Sequence, residues 1–290
     1  MLTHARRAAQ LIPAPLRPDS DNRFRIGRAA GARCSAVLAL AVSTACAPAV
    51  VNTIPPAPIV LAAVTWNTHS GRGDLPRLVA DLEQGALIPP SDAYLFLLQE
   101  VAADELDAVA RPRRWSPCFV PVRGVEGRVR GNAILSSLPL RDRRTVPLPR
   151  ERQTRAAAAA WIDVAGHQLF VASVHLENRV SWWKGGLFSD SARRHQVEGL
   201  LRALPADGPG ILGGDLNMWL GPGEPGWQAL IRRFADTPAW PKRPTFRDRL
   251  VLDHLLMDLP DGWRATRRVL ADDYGSDHHP VLAVVSGPEA

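Results

Sequence analysis

The stretch Ile211-Leu-Gly-Gly-Asp-Leu-Asn217 joins a short apolar run to polar residues at its end. Ile211–Gly214 predicts a short buried strand, so Asp215 and Asn217 fall where that strand ends. Three other apolar runs end in the same way: Thr65-Trp66-Asn67, Leu98-Gln99-Glu100 and Val174-His175-Leu176-Glu177. Polar groups at strand ends gather at one rim of a sheet, where a rigid scaffold holds functional residues. The sequence therefore predicts a sheet structure with a functional rim.

The chain on the N-terminal side of this stretch alternates between strands and helices. Ile59–Trp66 and Tyr94–Leu98 have the character of buried strands, and Leu75–Leu87 has the apolar spacing of a helix. Three later runs joined by short turns predict consecutive antiparallel strands: Asn132–Ser136, Ala156–Val164 and Gln168–Leu176. The alanine run Ala156–Ala160 is assigned to a strand from this context, against its own propensity.

The C-terminal part completes the pattern. Ser191–Leu204 has helical apolar spacing, and three more runs predict closing strands: Val251–Met257, Arg264–Leu270 and Val281–Val285. Mixed strands flanked by helices indicate two packed sheets with helices outside. We therefore expect an α/β fold over residues 59–287, a four-layer α/β/β/α sandwich of two packed mixed sheets flanked by helices.

Residues 1–46 have the layout of a secretory signal peptide. Four arginines between residues 23 and 33 precede the apolar run Ala36–Val42, and the small residues Ser43-Thr-Ala-Cys46 follow it. The apolar run is shorter than the roughly 20 residues that a membrane span needs. A disordered tail rich in alanine and arginine is the alternative interpretation. We expect an exported protein, either periplasmic, anchored to a membrane or secreted.

The end of this signal allows two kinds of processing. Ser43–Cys46 resembles a bacterial lipobox, in which Cys46 becomes the lipid-bearing first residue, although such a box usually has leucine at the position of Ser43. Simple cleavage near Ala47 or Ala49 is the alternative. Residues 47–58 are rich in proline and small residues, which favours an extended tether over a packed element.

Composition limits the classes of partner. The formal net charge of +6 is concentrated at the N-terminus: residues 1–46 contain seven Arg and two Asp, and the remainder contains 28 Lys+Arg against 27 Asp+Glu. The basicity of the whole chain is therefore no argument for a nucleic-acid partner. Cys118 is the one cysteine after residue 46, so an internal disulfide in the mature domain is excluded.

Each polar residue at a strand end also has an ordinary structural explanation. Asn67 can cap a turn, Glu100 can cap a helix and His175 can be a satisfied core histidine. Together with Leu252-Asp253-His254 and Ser276-Asp277-His278-His279-Pro280, however, they form a set that suits phosphate ester hydrolysis. That reaction needs a hard cation held by oxygen ligands, a base to activate water, and donors around phosphorus.

These segments, in their order along the chain, resemble the motifs of the endonuclease/exonuclease/phosphatase superfamily, which includes pancreatic-type deoxyribonuclease, inositol polyphosphate phosphatases and bacterial sphingomyelinases. They are TWN with Asn67, LLQE with Glu100, GNAILSS at Gly131–Ser137, VHLE with His175, GGDLN with Asp215 and Asn217, VLDHLLM with Asp253, and SDHHPV with Asp277 and His278. The resemblance spans Val64 to Val281 and implies the same four-layer fold.

The resemblance implies a role for each matching residue. Glu100, Asn67 and Asp277 would surround a Mg²⁺ ion, for which Mn²⁺ can substitute. Asp215 would orient and deprotonate the attacking water. The other roles concern the substrate and the leaving group. Asn217 and His175 would donate to phosphate oxygens, and Asn67 is also expected to contact the substrate. His278 would protonate the leaving group or neutralise the phosphorane, with Asp253 fixing its tautomer and raising its pKa. His69, His254 and His279 are given supporting or structural roles.

The expected function is metal-dependent hydrolysis of a phosphate ester, by a monomeric phosphodiesterase of nuclease type. The alternatives are a lipid or inositol-phosphate phosphoesterase of sphingomyelinase type, and a catalytically inactive binding module. Intact Glu100, Asp215 and His278 argue against the last of these. The aromatic pair Trp182-Trp183 fits insertion into a membrane interface, stacking on a nucleobase or packing on the core. A phosphate ester, nucleic acid included, is the expected partner.

Overall fold

The computed structural model describes residues 59–125, 128–178 and 190–288. The predicted signal peptide and tether, and the pair Trp182-Trp183, lie outside the described residues. Within them, the elements in chain order are β1 (Ile59–Asn67), α1 (Leu75–Glu83), β2 (Tyr94–Ala102), α2 (Ala103–Arg113), β3 (Ser116–Val125), β4 (Arg128–Ser136), β5 (Arg141–Pro147), β6 (Ala156–Val164), β7 (His167–His175), α3 (Asp190–Ala203), β8 (Gly210–Asp215), α4 (Pro225–Arg233), β9 (Asp253–Asp258), β10 (Arg264–Val269) and β11 (Val281–Ser286). No helix among these is long and apolar enough to cross a bilayer.

The strands form two mixed sheets. The first has six strands in the order β10-β11-β1-β2-β4-β3, and the second has five in the order β5-β6-β7-β8-β9. Each sheet contains one parallel pair, β1 with β2 and β7 with β8, and the other described pairings are antiparallel. Strands of a parallel pair end at the same edge of a sheet, so each pair brings two strand ends together.

Three apolar clusters separate four layers. The first lies between the two sheets and includes Leu97 of β2 and Val171 of β7. The second packs the outer face of the six-stranded sheet against α1 and α2. The third packs the outer face of the five-stranded sheet against α3 and α4. The predicted α/β/β/α sandwich is therefore confirmed.

The alanine run explains how closely the sheets pack. Ala158 and Ala160 of β6 belong to the cluster between the sheets, whereas Ala157 and Ala159 belong to the cluster under the helices. All four are fully buried. Tertiary packing of small side chains on both faces overrides the low strand propensity of alanine.

Polar bridges cross between the sheets near the functional rim. Gln99 Nε2 donates to Ser173 Oγ at 3.1 Å, and Ser173 Oγ donates to the carbonyl of Leu98 at 2.8 Å. Asn132 Nδ2 donates to the carbonyl of Ala156 at 2.7 Å. These buried hydrogen bonds fix the position of one sheet against the other.

Some element boundaries differ from the sequence prediction. The helix predicted over Leu75–Leu87 ends at Glu83, because Gly85 adopts a left-handed conformation with φ of +76° and terminates it. The strand predicted over Val251–Met257 runs instead over Asp253–Asp258. Four elements were not predicted: α2, β3, β5 and α4. Helix α2 contains Pro112, and β5 is an edge strand with six exposed residues among seven, so neither has the usual apolar pattern.

Candidate active site

The sheet topology brings the predicted site residues to one rim. Asn67 ends β1 beside Gln99 of the parallel strand β2, and His175 ends β7 beside Asp215 at the end of β8. Strand β9 is antiparallel to β8 and pairs Asp253 with Asp215, so its first residue reaches the same rim. Seven of the eight predicted residues line one cleft of about 290 Å³: Asn67, Glu100, His175, Asp215, Asn217, Asp277 and His278. The eighth, Asp253, is fully buried behind His278.

Strand alternation aims several of these side chains between the sheets. Along β1 and β8, Ala63 and Ile211 point into the cluster between the sheets. Residues at even spacing from them share that face, which includes Asn67 and Asp215. The polar residues therefore continue the inner faces of the two sheets beyond the apolar core, where the cleft opens.

A bulge in β2 exposes Glu100 to the cleft. The register between β2 and β4 shifts between Leu98 and Val101, and Glu100 has a φ of +55°. A bulge of this kind bends the strand and re-aims a side chain, and it is common next to active sites. The Glu100 carboxylate accepts a hydrogen bond from Ser70 Oγ at 3.0 Å and is about one-third exposed.

Asp215 lies at the centre of the hydrogen-bond network. Its Oδ2 atom accepts from Asn67 Nδ2 at 3.0 Å and lies 3.4 Å from His175 Nε2 and 3.9 Å from His278 Nε2. Its Oδ1 atom accepts from the backbone N–H of Asn217 at 3.1 Å. Burial and the neighbouring negative charge of Asp253 raise the pKa of Asp215 to about 7. A carboxylate with such a pKa is suited to take a proton near neutral pH.

His278 and Asp253 form a buried pair. The Nδ1 atom of His278 lies 2.7 Å from Oδ2 of Asp253, so the ring donates Nδ1–H to the carboxylate and its Nε2 faces the cleft. Burial alone would lower the pKa of His278, but the charge and hydrogen bond of Asp253, with the charges of Asp215 and Asp277, raise it to about 9. The imidazolium form is therefore favoured in this structure at neutral pH.

His175 has the opposite electrostatic character. Burial, with the positive charges of Arg155 and His278, holds the pKa of His175 well below its usual range. Its ring is therefore neutral, with Nδ1 3.8 Å from Glu100 Oε1 and Nε2 3.4 Å from Asp215 Oδ2. A neutral imidazole has one donor and one acceptor nitrogen and can donate to an oxygen of a bound anion.

The loop before β11 is tied to the end of β1. Ser276 Oγ donates to the carbonyl of Asn67 at 2.7 Å, and Trp66 Nε1 donates to the carbonyl of His278 at 2.8 Å. Asp277 follows in this loop, and its carboxylate accepts from Arg247 Nη2 at 3.0 Å. These bonds place Asp277 and His278 over the rim that carries Asn67.

The three predicted metal ligands offer oxygen atoms to the same cleft. Glu100 and Asp277 provide carboxylates, and Asn67 provides an amide oxygen that accepts one hydrogen bond, from the His69 N–H at 3.0 Å. A carbonyl oxygen has two lone pairs, so Asn67 retains one for a ligand. Hard oxygen donors of this type suit Mg²⁺. The residues present therefore fit the predicted magnesium site.

A second group of side chains also has metal-ligand spacing. Asp215, Asp253 and His278 offer ligand atoms that all lie within 4.8 Å of one another. However, His278 Nδ1 and Asp253 Oδ2 already form a 2.7 Å hydrogen bond, and Asp253 has no exposed surface. A cation there would have to displace that hydrogen bond, so we assign this group to proton transfer.

Other residues line the cleft without having been predicted from the sequence. Trp219 and Phe246 form an aromatic wall with ring centroids 6.3 Å apart, and the Phe246 ring lies 4.7 Å from that of His278. His69, which was given a supporting role, also lines the cleft, with Nδ1 3.3 Å from Asp277 Oδ1. No sequence motif marks Trp219, Phe246 or His69; each is only close in the sequence to a predicted residue.

The remaining two histidines near the motifs lie away from the cleft. His254 is fully buried between Trp227 and Trp240, whose ring centroids are 4.7 Å and 4.4 Å from its own. His279 lies with Nε2 3.1 Å from Asp248 Oδ1. Neither lines the active-site cleft, which fits the structural roles predicted for them.

Three arginines line a neighbouring cleft and were also not predicted: Arg130, Arg152 and Arg155. Arg155 directly precedes the buried alanine strand β6, and burial lowers the pKa of its guanidinium.

Structural comparison gives many matches in fold, three of which come from named proteins. The catalytic domain of human nocturnin with bound sulfate has 20% identity and a TM-score of 0.59, and the alignment covers 79% of this chain and 95% of that chain. Sphingomyelinase C from Streptomyces griseocarneus has 20% identity and a TM-score of 0.53, covering 77% and 98%. Beta toxin from Staphylococcus aureus, as a mutant with bound magnesium ions, has 16% identity and a TM-score of 0.56, covering 77% and 98%.

At these identities the three structures establish a shared fold. No match was found among curated proteins. The sequence itself matches the Endonuclease/Exonuclease/phosphatase family over residues 64–278, a range that contains the eight predicted site residues. This chain therefore belongs to the endonuclease/exonuclease/phosphatase family and has its hydrolase fold.

Proposed function

We propose that this chain is a Mg²⁺-dependent phosphodiesterase of nuclease type that acts after export. The observation that carries the proposal is the arrangement of Asp215 and the His278–Asp253 pair opposite the oxygen ligands Glu100 and Asp277 in one cleft. This arrangement supplies a base, an acid and a cation site around one position for a phosphate.

Asp215 is the proposed base. Its Oδ2 atom faces the cleft while Asn67 Nδ2 and the Asn217 N–H hold the carboxylate in place at 3.0 Å and 3.1 Å. A water molecule hydrogen-bonded to Asp215 would be oriented for in-line attack on phosphorus and would transfer its proton to the carboxylate. General base help of this kind contributes roughly 10²- to 10⁴-fold to a rate.

His278 is the proposed acid. Asp253 holds its Nδ1–H, so the Nε2–H points into the cleft and can be donated to the leaving oxygen or to the phosphorane. The raised pKa of His278, about 9, keeps this proton available at neutral pH. Because the pKa of His278 is higher than that of Asp215, His278 is protonated and Asp215 is ionised between the two values, so one site contains both an acid and a base.

Three further side chains are proposed to hold the phosphate. His175, Asn217 and Asn67 line the cleft and carry N–H donors. The ion bound by Glu100, Asp277 and Asn67 supplies positive charge beside the phosphate when present. Two observations on similar proteins support a cation and an anion in folds of this kind, namely the magnesium ions in beta toxin and the sulfate in nocturnin.

The aromatic wall favours a nucleotide-bearing substrate over a phospholipid. Trp219 and Phe246 are both half-buried, and Phe246 lies beside His278 with Trp219 next to it, so their ring faces and edges can contact a base next to the scissile phosphate. Stacking of a base on an aromatic side chain is worth about 1–3 kcal/mol. A phospholipid headgroup has no planar base to stack, and a choline cation would gain a weaker cation–π contact of about 0.5–2 kcal/mol. Similarity to sphingomyelinase C keeps lipid hydrolysis as the alternative.

A substrate panel tests the proposed reaction. Purified protein with Mg²⁺ would be offered plasmid DNA, RNA, a bis-aryl phosphodiester, inositol phosphates and sphingomyelin. We expect cleavage of the nucleic acids and of the aryl diester, and a loss of at least about 10²-fold in Asp215→Asn and His278→Ala. If sphingomyelin were the only compound hydrolysed, the proposed substrate class would change from nucleic acid to lipid. The absence of hydrolysis of every diester would support the inactive binding module.

Export and anchoring are proposed from the N-terminal sequence. The arginines, the apolar run Ala36–Val42 and the small residues up to Cys46 support removal of residues 1–45 or a few residues more. Diacylglyceryl and acyl groups on Cys46 would anchor the domain stably, because lasting attachment takes more than one chain. Mass spectrometry of the N-terminus in the native cell separates the cases. An acylated peptide starting at Cys46 supports anchorage, a start between Ala47 and Val50 supports secretion, and an intact Met1 terminus contradicts export.

A further inference from the structure

A second cleft of about 500 Å³ adjoins the active-site cleft. The two clefts share Glu100, His175 and Asn178, so they open into each other at the rim of the sheets. The larger cleft is lined by Arg130, Arg152 and Arg155, and Glu100 is the one carboxylate among the described residues that line it. This space is therefore strongly cationic.

Arg155 is an unusual residue because its side chain is buried, with the residue 8% exposed, and its Nε atom has no hydrogen-bond partner among the described residues. Negative charges of Asp215, Glu177 and Glu100 act on it from a distance, but none of them forms an ion pair with it in the described part of the chain. Arg130 repeats the pattern, since its Nε atom is also buried and without a partner within those residues.

Such an arrangement is costly unless a ligand completes it. A buried charged group needs an opposite charge or hydrogen bonds to replace the water that it has lost. Guanidinium groups prefer planar, bidentate contacts with carboxylate or phosphate oxygens. The buried Arg155 and the half-buried Arg130 each have an Nε atom without a partner among the described residues, and together with the exposed Arg152 they match a compact anion with several oxygens, such as a phosphate group.

We propose that the arginine cleft, formed by Arg130, Arg152 and Arg155, binds a second phosphate group of the substrate whose first phosphate is hydrolysed beside Asp215. This inference rests on the proposed function. It narrows the substrate to phosphodiesters that carry a further phosphate near the scissile one, because the two clefts share Glu100, His175 and Asn178. It also disfavours choline-containing lipids, because their second charged group is a cation and would meet three arginines.

The second phosphate has two chemical sources, and a series of three short substrates distinguishes them. A dinucleotide with one internal phosphate would be compared with the same dinucleotide carrying a terminal phosphate and with a trinucleotide carrying a second internal phosphate. We expect kcat/KM to rise at least about tenfold for one or both of the two-phosphate substrates. A terminal-phosphate preference identifies a phosphomonoester end as the ligand, and a trinucleotide preference identifies the neighbouring backbone phosphate. Equal kcat/KM values for all three substrates would overturn the inference.

Binding of inorganic phosphate in EDTA tests the cleft without catalysis. Arginine charges remain when metal is removed, so calorimetry with excess EDTA should still detect phosphate binding. We expect the affinity to fall at least about tenfold in Arg155→Gln and in Arg152→Gln. The second variant guards against misfolding, because Arg152 is exposed. Arg111→Gln is the matched control, since Arg111 is an exposed arginine on α2 paired with Asp107.

The outcomes separate this inference from the proposed function. Phosphate affinity in EDTA that is unchanged in both cleft variants would overturn the arginine cleft, even if the enzyme hydrolyses diesters with Mg²⁺. Arginine-dependent phosphate binding without hydrolysis of any diester would support the anion site and contradict the proposed reaction. A fall of the two-phosphate preference in Arg152→Gln, with the preference kept in Arg111→Gln, would support both.

Discussion

The Nδ1 atom of His278 lies 2.7 Å from Oδ2 of Asp253, and the two side chains are 6% and 0% exposed. The carboxylate therefore determines both the tautomer of the ring and the ease with which it is protonated. Because Asp253 begins β9 while His278 precedes β11, the pair also joins the five-stranded sheet to a loop of the six-stranded sheet.

Replacing Asp253 tests this pair. Asp253→Asn keeps the shape of the side chain but removes the negative charge that raises the pKa of His278. We expect kcat to fall at least about 10²-fold and the pKa of His278, followed by NMR of the ring, to fall as well. Asp248→Asn is the matched control, since Asp248 is an exposed carboxylate that contacts His279 outside the cleft. An unchanged kcat in Asp253→Asn would remove His278 from the role of acid.

Metal dependence tests the oxygen ligands. Activity should be lost in EDTA and restored by Mg²⁺ or Mn²⁺, because the cation supplies charge that no side chain replaces. In Glu100→Gln, the Mg²⁺ concentration for half-maximal activity should rise at least about tenfold, since a charged ligand is lost. Glu198→Gln removes an exposed carboxylate from α3 and should leave that concentration unchanged. Full activity after exhaustive chelation would contradict the metal site.

Glu105 of α2 should make stability depend on pH. Burial raises the pKa of Glu105 to about 7, its Oε1 accepts from the Leu75 N–H at 3.3 Å, and its buried Oε2 has no partner among the described residues. The folded state therefore binds a proton more tightly than the unfolded state does. The stability contributed by this proton is fully present below pH 4.5 and is lost as the pH rises through about 7.

Glu105→Gln tests this assignment. Raising the pH from 5 to 8 should lower the free energy of unfolding less in the variant than in the wild type. The expected difference between the two proteins is about 1–2 kcal/mol, after allowance for the partial exposure of the carboxyl. Other titrating groups are the same in both proteins, so their effects cancel in this difference. Urea unfolding at each pH measures it, and equal pH dependence in the two proteins would show that Glu105 does not titrate in this range.

Gly213 tests the packing of the sheets. A Cβ atom at this position of β8 would lie 2.6 Å from Leu97 Cδ1 and 3.0 Å from Thr65 Cβ, across the space between the sheets. We expect Gly213→Ala to lower the free energy of unfolding by about 1–3 kcal/mol through overpacking. A Cβ at Gly223 would meet nothing within 4 Å, so Gly223→Ala should change stability by less than about 0.5 kcal/mol. Equal effects in thermal unfolding would contradict this account.

The layers of the fold were predictable from the sequence because the inner strands have clear apolar runs. The run Ile59–Trp66 lies within β1, and Ile211–Gly214 lies within β8. The edge strands β9 and β10 were also predicted, but the edge strands β3 and β5 gave no such signal: β5 is exposed along most of its length, and β3 contains Pro117 and Pro121. The sequence therefore predicted the strands that build the core better than those that border it.

The site residues that end strands or stand in motifs were also predictable, and the structure places them around one cleft. The residues that were missed act through their place in three dimensions. The packing of the sheets brings Arg155 into the cleft that Glu100 lines and Trp219 into the cleft that His278 lines. A single side chain whose role depends on distant neighbours leaves no local pattern.

The hydrogen bonds at the rim join residues that are very far apart along the chain. Asn67 and Asp215 are 148 residues apart, Ser276 and Asn67 are 209 apart, and Trp66 and His278 are 212 apart. Contacts of such long range form slowly, because large loops must close before they are gained. Catalytic activity should consequently appear as one of the last events of folding, so recovery of turnover after dilution from denaturant reports completion of the whole domain. Under the proposed function, a newly made chain would be unable to hydrolyse phosphodiesters in the cell that synthesises it until both sheets have joined.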